Sequence, residues 1–297
     1  MGSCMNKQDG IQAISQSLTT LPSSVSDTIL RHIGHLIDYT PVIGIMGKTG
    51  VGKSSLCNAL FRGKVTAVSA VSGCTREPQR LTLSLGQHAL TLVDLPGVGE
   101  SVERDEEYHA LYQQLLPELD FILWVLKADD RAHTADETVY QDITQQGGFN
   151  PARLLFVLNQ ADKIDPCREW DRHHCQPSPT QWAHLQEKCR AVASRLSPVH
   201  PVIPVSAQEG YNLAALAEAL VQHLPRQASS AVARQLTHRY KTDAVLDRAR
   251  QDFGDSVGEV FDRLADAAGV PTGVHTLIAR VRNTVMSIAR AVWGLLF

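Results

Sequence analysis

The apolar run Val42 to Met46 leads directly into Gly47-Lys48-Thr49-Gly50-Val51-Gly52-Lys53-Ser54-Ser55, and an amphipathic segment carrying Leu56, Leu60 and Phe61 follows. A strand, a glycine-rich loop and a helix in that order make a phosphate-binding loop. Glycines at 47, 50 and 52 let consecutive backbone N–H groups converge on anionic oxygens. The helix starting near Lys53 aims the positive end of its dipole at the same point. Lys53 is then expected to span the β- and γ-phosphates, and Ser54 to offer its hydroxyl to a Mg²⁺ ion, a hard cation that prefers oxygen ligands. The whole stretch Gly47, Lys48, Thr49, Gly50, Val51, Gly52, Lys53, Ser54 and Ser55 is the expected phosphate cradle.

From residue 41 to 225 strand and helix patterns alternate. Strands are expected near 42–46, 79–85, 89–94, 120–126, 153–158 and 201–205, with helices near 53–61, 104–116, 134–146, 180–196 and 212–223. Runs such as Phe121 to Leu126 and Leu154 to Leu158 are apolar without a break, as parallel strands covered on both faces require. The expected fold is α/β: a three-layer sandwich, a P-loop NTPase G domain with a mostly parallel six-stranded sheet, and helical extensions at both ends. The expected division is 1–39, 40–226 and 227–297.

Residues 10–38 show helical spacing in two halves divided by Pro22, and after Pro225 the strand pattern stops. Seven acidic residues fall between 243 and 266, whereas 267–297 contains none and carries Arg280, Arg282 and Arg290. Ile278, Val281, Val285, Ile288, Val292 and Leu295 recur at three- and four-residue steps, so the last helix is amphipathic and basic, with a break expected around Gly269 to Gly273. Two readings of it stand: a helix whose stripe packs on protein, or a helix resting on a membrane surface. No apolar run is long enough to span a bilayer.

Composition narrows the class. With 297 residues, 43% of them apolar, and a net charge of −3, the chain has no nucleic-acid signature. Six scattered cysteines suggest no disulfide framework, and a cytoplasmic location is expected, on the inner face of the membrane if the last helix binds there.

The base is read elsewhere. Asn159-Gln160-Ala161-Asp162 follows one strand and Ser206-Ala207 another. The Asp162 carboxylate can accept from guanine N1–H and N2–H₂, a donor pair adenine lacks, while Asn159 can face the N7/O6 edge and the Ala207 N–H can donate to O6. Adenine would set an acceptor against a carboxylate, leaving a charge unpaired, so GTP and GDP are the expected ligands.

Five motifs in order, Gly47 to Ser54, Thr75 in Ser72-Gly73-Cys74-Thr75-Arg76, Asp94-Leu95-Pro96-Gly97, Asn159 to Asp162 and Ser206-Ala207, resemble those of translation-factor-type GTPases. Cys74-Thr75-Arg76 and Asp94 to Val98 look like the Era/TrmE branch, and most of the chain resembles the YfjP/YeeP-like GTPases of bacterial prophage islands. The resemblance implies a switch that hydrolyses GTP, with Lys53, Thr75 and Gly97 serving catalysis and Ser54, Thr75 and Asp94 serving Mg²⁺. Two departures matter: Gln160 stands where the family usually has Lys, weakening the cover over the base, and Gly50 stands where potassium-stimulated relatives carry Asn. Val98 stands where small Ras-like GTPases place Gln, so slow intrinsic turnover is expected, with help from a partner or a second copy across the nucleotide. Lys48 and Arg76 are candidate cations, or solvated surface charge. A rival reading keeps the chain as a nucleotide-gated module that forms a homodimer through its G domain or rests on a membrane. Cys167, His173, His174 and Cys175 lack the spacing of common zinc sites. Asp129-Asp130 and Asp136-Glu137 read as solvated carboxylates.

Overall fold

The computed structural model describes residues 6–62, 64–67, 79–85, 88–95, 111–130, 134–146, 148–266 and 272–297. Seven strands form one sheet: β1 (Val42–Met46), β2 (Lys64–Ala67), β3 (Gln79–Leu85), β4 (His88–Asp94), β5 (Phe121–Lys127), β6 (Leu154–Asn159) and β7 (Ile203–Pro204). They lie in the order β2-β3-β4-β1-β5-β6-β7, parallel from β4 to β7, with β3 and β2 antiparallel at one edge. The six strands expected from the sequence are all present; β2 adds a short seventh, and β7 is only two residues long. Because β4 lies on one side of β1 and β5 on the other, the connections diverge at the carboxyl end of β1, and such a switch point opens a crevice there.

Burial follows the apolar runs. Phe121–Leu126 and all of β6 are buried, and successive side chains alternate between two cores. Ile43, Ile45, Phe121, Leu123, Val125, Leu155 and Val157 face one. Met46, Val93, Ile122, Trp124, Leu126, Phe156 and Leu158 face the other. The second core is covered by α4 (Thr134–Gln141), which runs into a π-helical turn at Asp142–Gln146, and by α5 (Pro179–Leu196), which a Ser178–Gln181 capping box starts. Of the helix expected at 104–116, residues 111–116 are described; 111–115 are helical, Leu116 opens a 3-10 turn, and they lie on the same side.

The first core is covered by α1 (Lys7–Ser17), α2 (Ser23–Ile37), α3 (Lys53–Leu60), α6 (Leu213–His223), α7 (Arg226–Gln235), α8 (Asp243–Ala265) and α9 (Thr272–Leu296). Helix α9 packs along α8 and against α1, burying Ile278, Val281, Val285, Ala289, Trp293 and Leu296. Its apolar stripe is therefore covered by protein, the first of the two readings of this segment. Helix α8 brings Gly254 and Gly258 to that seam: a Cβ at Gly254 would lie 2.4 Å from Arg290 Nε, and one at Gly258 would lie 2.7 Å from Met286 Sδ. The acidic and basic halves noted in the sequence meet here. Arg282 grips Asp262 through two nitrogens at 2.7 and 2.6 Å, and Arg290 reaches Asp255 at 2.5 Å. Among the described residues no helix is long and apolar enough to cross a membrane.

The far end of β4 is fastened to this layer. His88 Nε2 lies 2.9 Å from the Leu296 carbonyl oxygen, the Gln235 amide donates to the His88 carbonyl at 2.8 Å, and the Phe297 ring stacks on the imidazole. Burial lowers the His88 pKa, with the Leu296 carbonyl pulling the other way.

Two outcomes follow from this packing. Gly254→Leu forces α9 away from α8 and lowers the unfolding free energy by about 1–3 kcal/mol, read from urea unfolding. Stability falls as the pH drops below 6.5, the ordinary value for His88, because the unfolded chain then takes up a proton that the folded imidazole refuses. His88→Asn flattens that slope in melts run across pH 5 to 8.

Candidate functional site

The loop from Gly47 to Gly52 rises out of β1 at the switch point and holds a shape that glycine permits. Gly47, Gly50 and Gly52 have φ of +136°, +84° and +91°. Two are also hemmed in: a Cβ on Gly47 would lie 2.2 Å from the Val125 carbonyl oxygen, and one on Gly52 would lie 2.5 Å from Asn159 Nδ2. The loop is thus pressed against β5 on one flank and the end of β6 on the other. Helix α3 begins at Lys53 with no side-chain cap, so its first N–H groups face the crevice without an intrahelical acceptor. Lys53 Nζ donates to the Gly47 carbonyl at 2.8 Å and lies 3.7 Å from Asp94 Oδ1, which spans the loop it is expected to serve. Thr49, Gly50, Ser54 and Ser55 are exposed at the rim, and Val51 is buried beneath it.

The second and third loops meet the first through one side chain. Asn159, 1% exposed, donates from Nδ2 to the Val51 carbonyl at 2.9 Å and accepts at Oδ1 from the Ala207 N–H at 3.1 Å. Its amide and the Ala207 N–H, both expected at the base edge, are here engaged with protein. Gln160, in the left-handed region at φ 63°, donates to the Gly50 carbonyl at 2.8 Å and accepts from Lys163 Nζ at 3.0 Å. That is a tie to the phosphate loop that its place in the sequence did not suggest. Asp162 accepts from the buried Ser206 hydroxyl at 2.5 Å, and the same hydroxyl accepts from the Glu209 N–H. Asn159, Gln160, Asp162, Ser206 and Ala207 therefore form one corner beside the phosphate loop.

Asp94 ends β4 and points back at the loop. Among the described residues its buried Oδ1 has no hydrogen-bond partner, and burial holds its carboxyl above the usual range while Lys53 draws it down. An oxygen in that condition, together with the Ser54 hydroxyl, is a hard, oxygen-only donor set that suits Mg²⁺. Thr75, Arg76, Gly97 and Val98 lie outside the described residues.

Two expectations are corrected. Asp136 is not solvated: it is 1% exposed, its Oδ1 accepts from the Trp124 indole at 3.0 Å and its Oδ2 lies 3.1 Å from Lys48 Nζ. Lys48 is likewise no loose surface charge, since Asp130 also stands 3.5 Å from it. The missed signal was Trp124, because an indole N–H on a fully buried strand needs an acceptor and Asp136 heads the next helix. Between β6 and α5, His174 Nδ1 lies 2.7 Å from Asp171, and Cys167 is exposed on a short helical turn. Among the described residues no three His, Cys, Asp or Glu side chains converge to hold a metal ion.

The profile of a family described as "50S ribosome-binding GTPase" matches residues 42–160. YkfA of Escherichia coli (strain K12) is 46% identical over 293 residues, covering 99% of this chain and 100% of that protein. YfjP of the same strain is 45% identical over 293 residues with the same coverage. GTPase Era of Aquifex aeolicus (strain VF5) is 28% identical over 192 residues, 62% of this chain and 56% of Era.

The corner's geometry makes a testable claim about Asn159. Asn159→Ala leaves the Val51 carbonyl and the Ala207 N–H without their partner, so the unfolding free energy drops by about 1–3 kcal/mol. Chemical denaturation reads that loss.

Proposed function

The chain belongs to the Era-like family of P-loop GTPases, and on that premise we propose that it binds GTP and GDP with Mg²⁺ and hydrolyses GTP slowly as a molecular switch. The observation that carries the reading is the pair of hydrogen bonds by which Asn159 joins the phosphate loop to the Ser206–Ala207 loop. A loop that can cradle phosphates and a corner with a guanine-compatible carboxylate stand side by side at one end of the sheet. ATP offers that carboxylate no donor pair, so the corner selects the guanine base.

In this proposal Gly47 to Ser55 envelop the phosphates, with Lys53 turning from the Gly47 carbonyl to the β- and γ-oxygens. Asp162 receives guanine N1–H and N2–H₂ on oxygen left over from Ser206, and Gln160 lies across the base less completely than a lysine stem. Ser54, Thr75 and Asp94 would hold Mg²⁺. When bound, that ion neutralises charge on the β- and γ-phosphates. The backbone N–H of Gly97 would sense the γ-phosphate, and Thr75 would ligate the Mg²⁺ directly in the GTP state. Val98 offers no group to orient the attacking water, which is why the unassisted rate is slow. The division of the chain at 39/40 and 226/227 goes with this reading, the middle part being the G domain.

Purified full-length protein is expected to bind a fluorescent GTP analogue in the presence of Mg²⁺, to release it to unlabelled GTP or GDP, and to retain it against equal ATP. Lys53→Ala abolishes binding and phosphate release together. Equal competition by ATP and GTP would overturn the guanine assignment.

A further inference from the structure

The phosphate loop is also tied to the start of α4 by an ion pair. Its second residue, Lys48, sends its ammonium away from the glycines to Asp136 Oδ2 at 3.1 Å and Asp130 Oδ2 at 3.5 Å. Asp136 is 1% exposed at the start of α4, and its other oxygen is fixed by the Trp124 indole at 3.0 Å. Trp124 is fully buried in β5, where Tyr140 and Phe156 lock its ring. Burial works against the Lys48 charge, yet Asp136 and then Asp130 outweigh it and its pKa is raised. The partly exposed ammonium is thus held between a buried carboxylate and a partly exposed one.

We propose that Asp136, oriented by Trp124, is a positioning residue that acts through Lys48 to hold the phosphate loop in its cradling shape before nucleotide arrives. Three glycines at positive φ would otherwise leave this loop many alternatives, and ordering them on binding would subtract from affinity. The flank toward β6 is restrained by Gln160 and Asn159; the flank toward β5 is restrained by Lys48. The role of Lys48 is thus to shape the loop, and the transition-state cation, if one comes from this chain, lies elsewhere.

The test is a double-mutant cycle in the full-length protein with Lys48→Met, Asp136→Asn and both together. Asn at 136 still accepts from the Trp124 indole, so the ring stays placed while the ion pair is lost. Each single change is expected to weaken GTP and GDP equally, by about tenfold, with Asp136→Asn keeping its turnover at saturating GTP, and the double variant to be no weaker than either single. Additive losses, or a fall in turnover for Lys48→Met that Asp136→Asn does not share, would overturn the proposal. The affinity arm rests on the GTP reading, so a second arm does without nucleotide. In ¹⁵N-tryptophan-labelled protein the four indole signals are assigned with Trp124→Phe, and Lys48→Met, at a partly exposed site that tolerates it, is expected to move Trp124 alone. An unmoved Trp124 signal refutes the relay. Wild-type protein that binds no GTP, together with a Trp124 signal that Lys48→Met still moves, refutes the function and leaves the relay standing.

Discussion

One amide side chain ties the loops of the candidate site together. Asn159 sits at the end of β6 with its Nδ2 on the phosphate loop and its Oδ1 on the loop after β7, and it is buried. Strands fix loops only at their roots, and loops that carry function need bonds between their tips. Because an amide offers a donor and an acceptor a little over 2 Å apart, it can satisfy a carbonyl in one loop and an N–H in another without moving. Gly52 makes room for it, since a Cβ there would overlap Nδ2. The glycine that gives the loop its turn is also the one that admits the cross-link.

Strands, helices and the glycine-shaped turn after β1 were legible in the sequence because each rests on a local rule. The unbroken apolar runs at Phe121 and Leu154 are where continuous burial is found, and helices α1 and α2 flank Pro22 as their spacing requires. What escaped was non-local. Asp136 reads as an ordinary helix-start carboxylate until Trp124 is known to lie beneath it, and Gln160 reads as a poorer lysine until its left-handed backbone turns its amide to Gly50. The edge strand β2 carries two apolar and two polar or charged residues, too short a pattern to be recognised without its partner β3. Of the proposed catalytic set, Lys53 is placed, whereas Thr75 and Gly97 fall outside the described residues.

The helical layer solves a different problem. The stripe of a basic amphipathic helix such as α9 suits a membrane surface or a protein surface, and the acidic run of α8 stands earlier in the same sequence. Side-chain pairing with Asp262 and Asp255 takes up Arg282 and Arg290, and the glycines of α8 bring the two helices close enough for those pairs to form. Exposed ion pairs of this kind add little stability each. Their value is in register, because sliding α9 by one turn would separate both pairs and drive Met286 and Arg290 into backbone.

Strand β4 joins these two worlds. It is seven residues long, roughly 23 Å of extended chain. One terminus is Asp94, facing Lys53, and the other is His88, bonded to the last turn of α9. Paired on both sides, β4 runs from the carboxylate that faces Lys53 to the imidazole that holds the last turn of α9, so the candidate site and the helical layer share one strand.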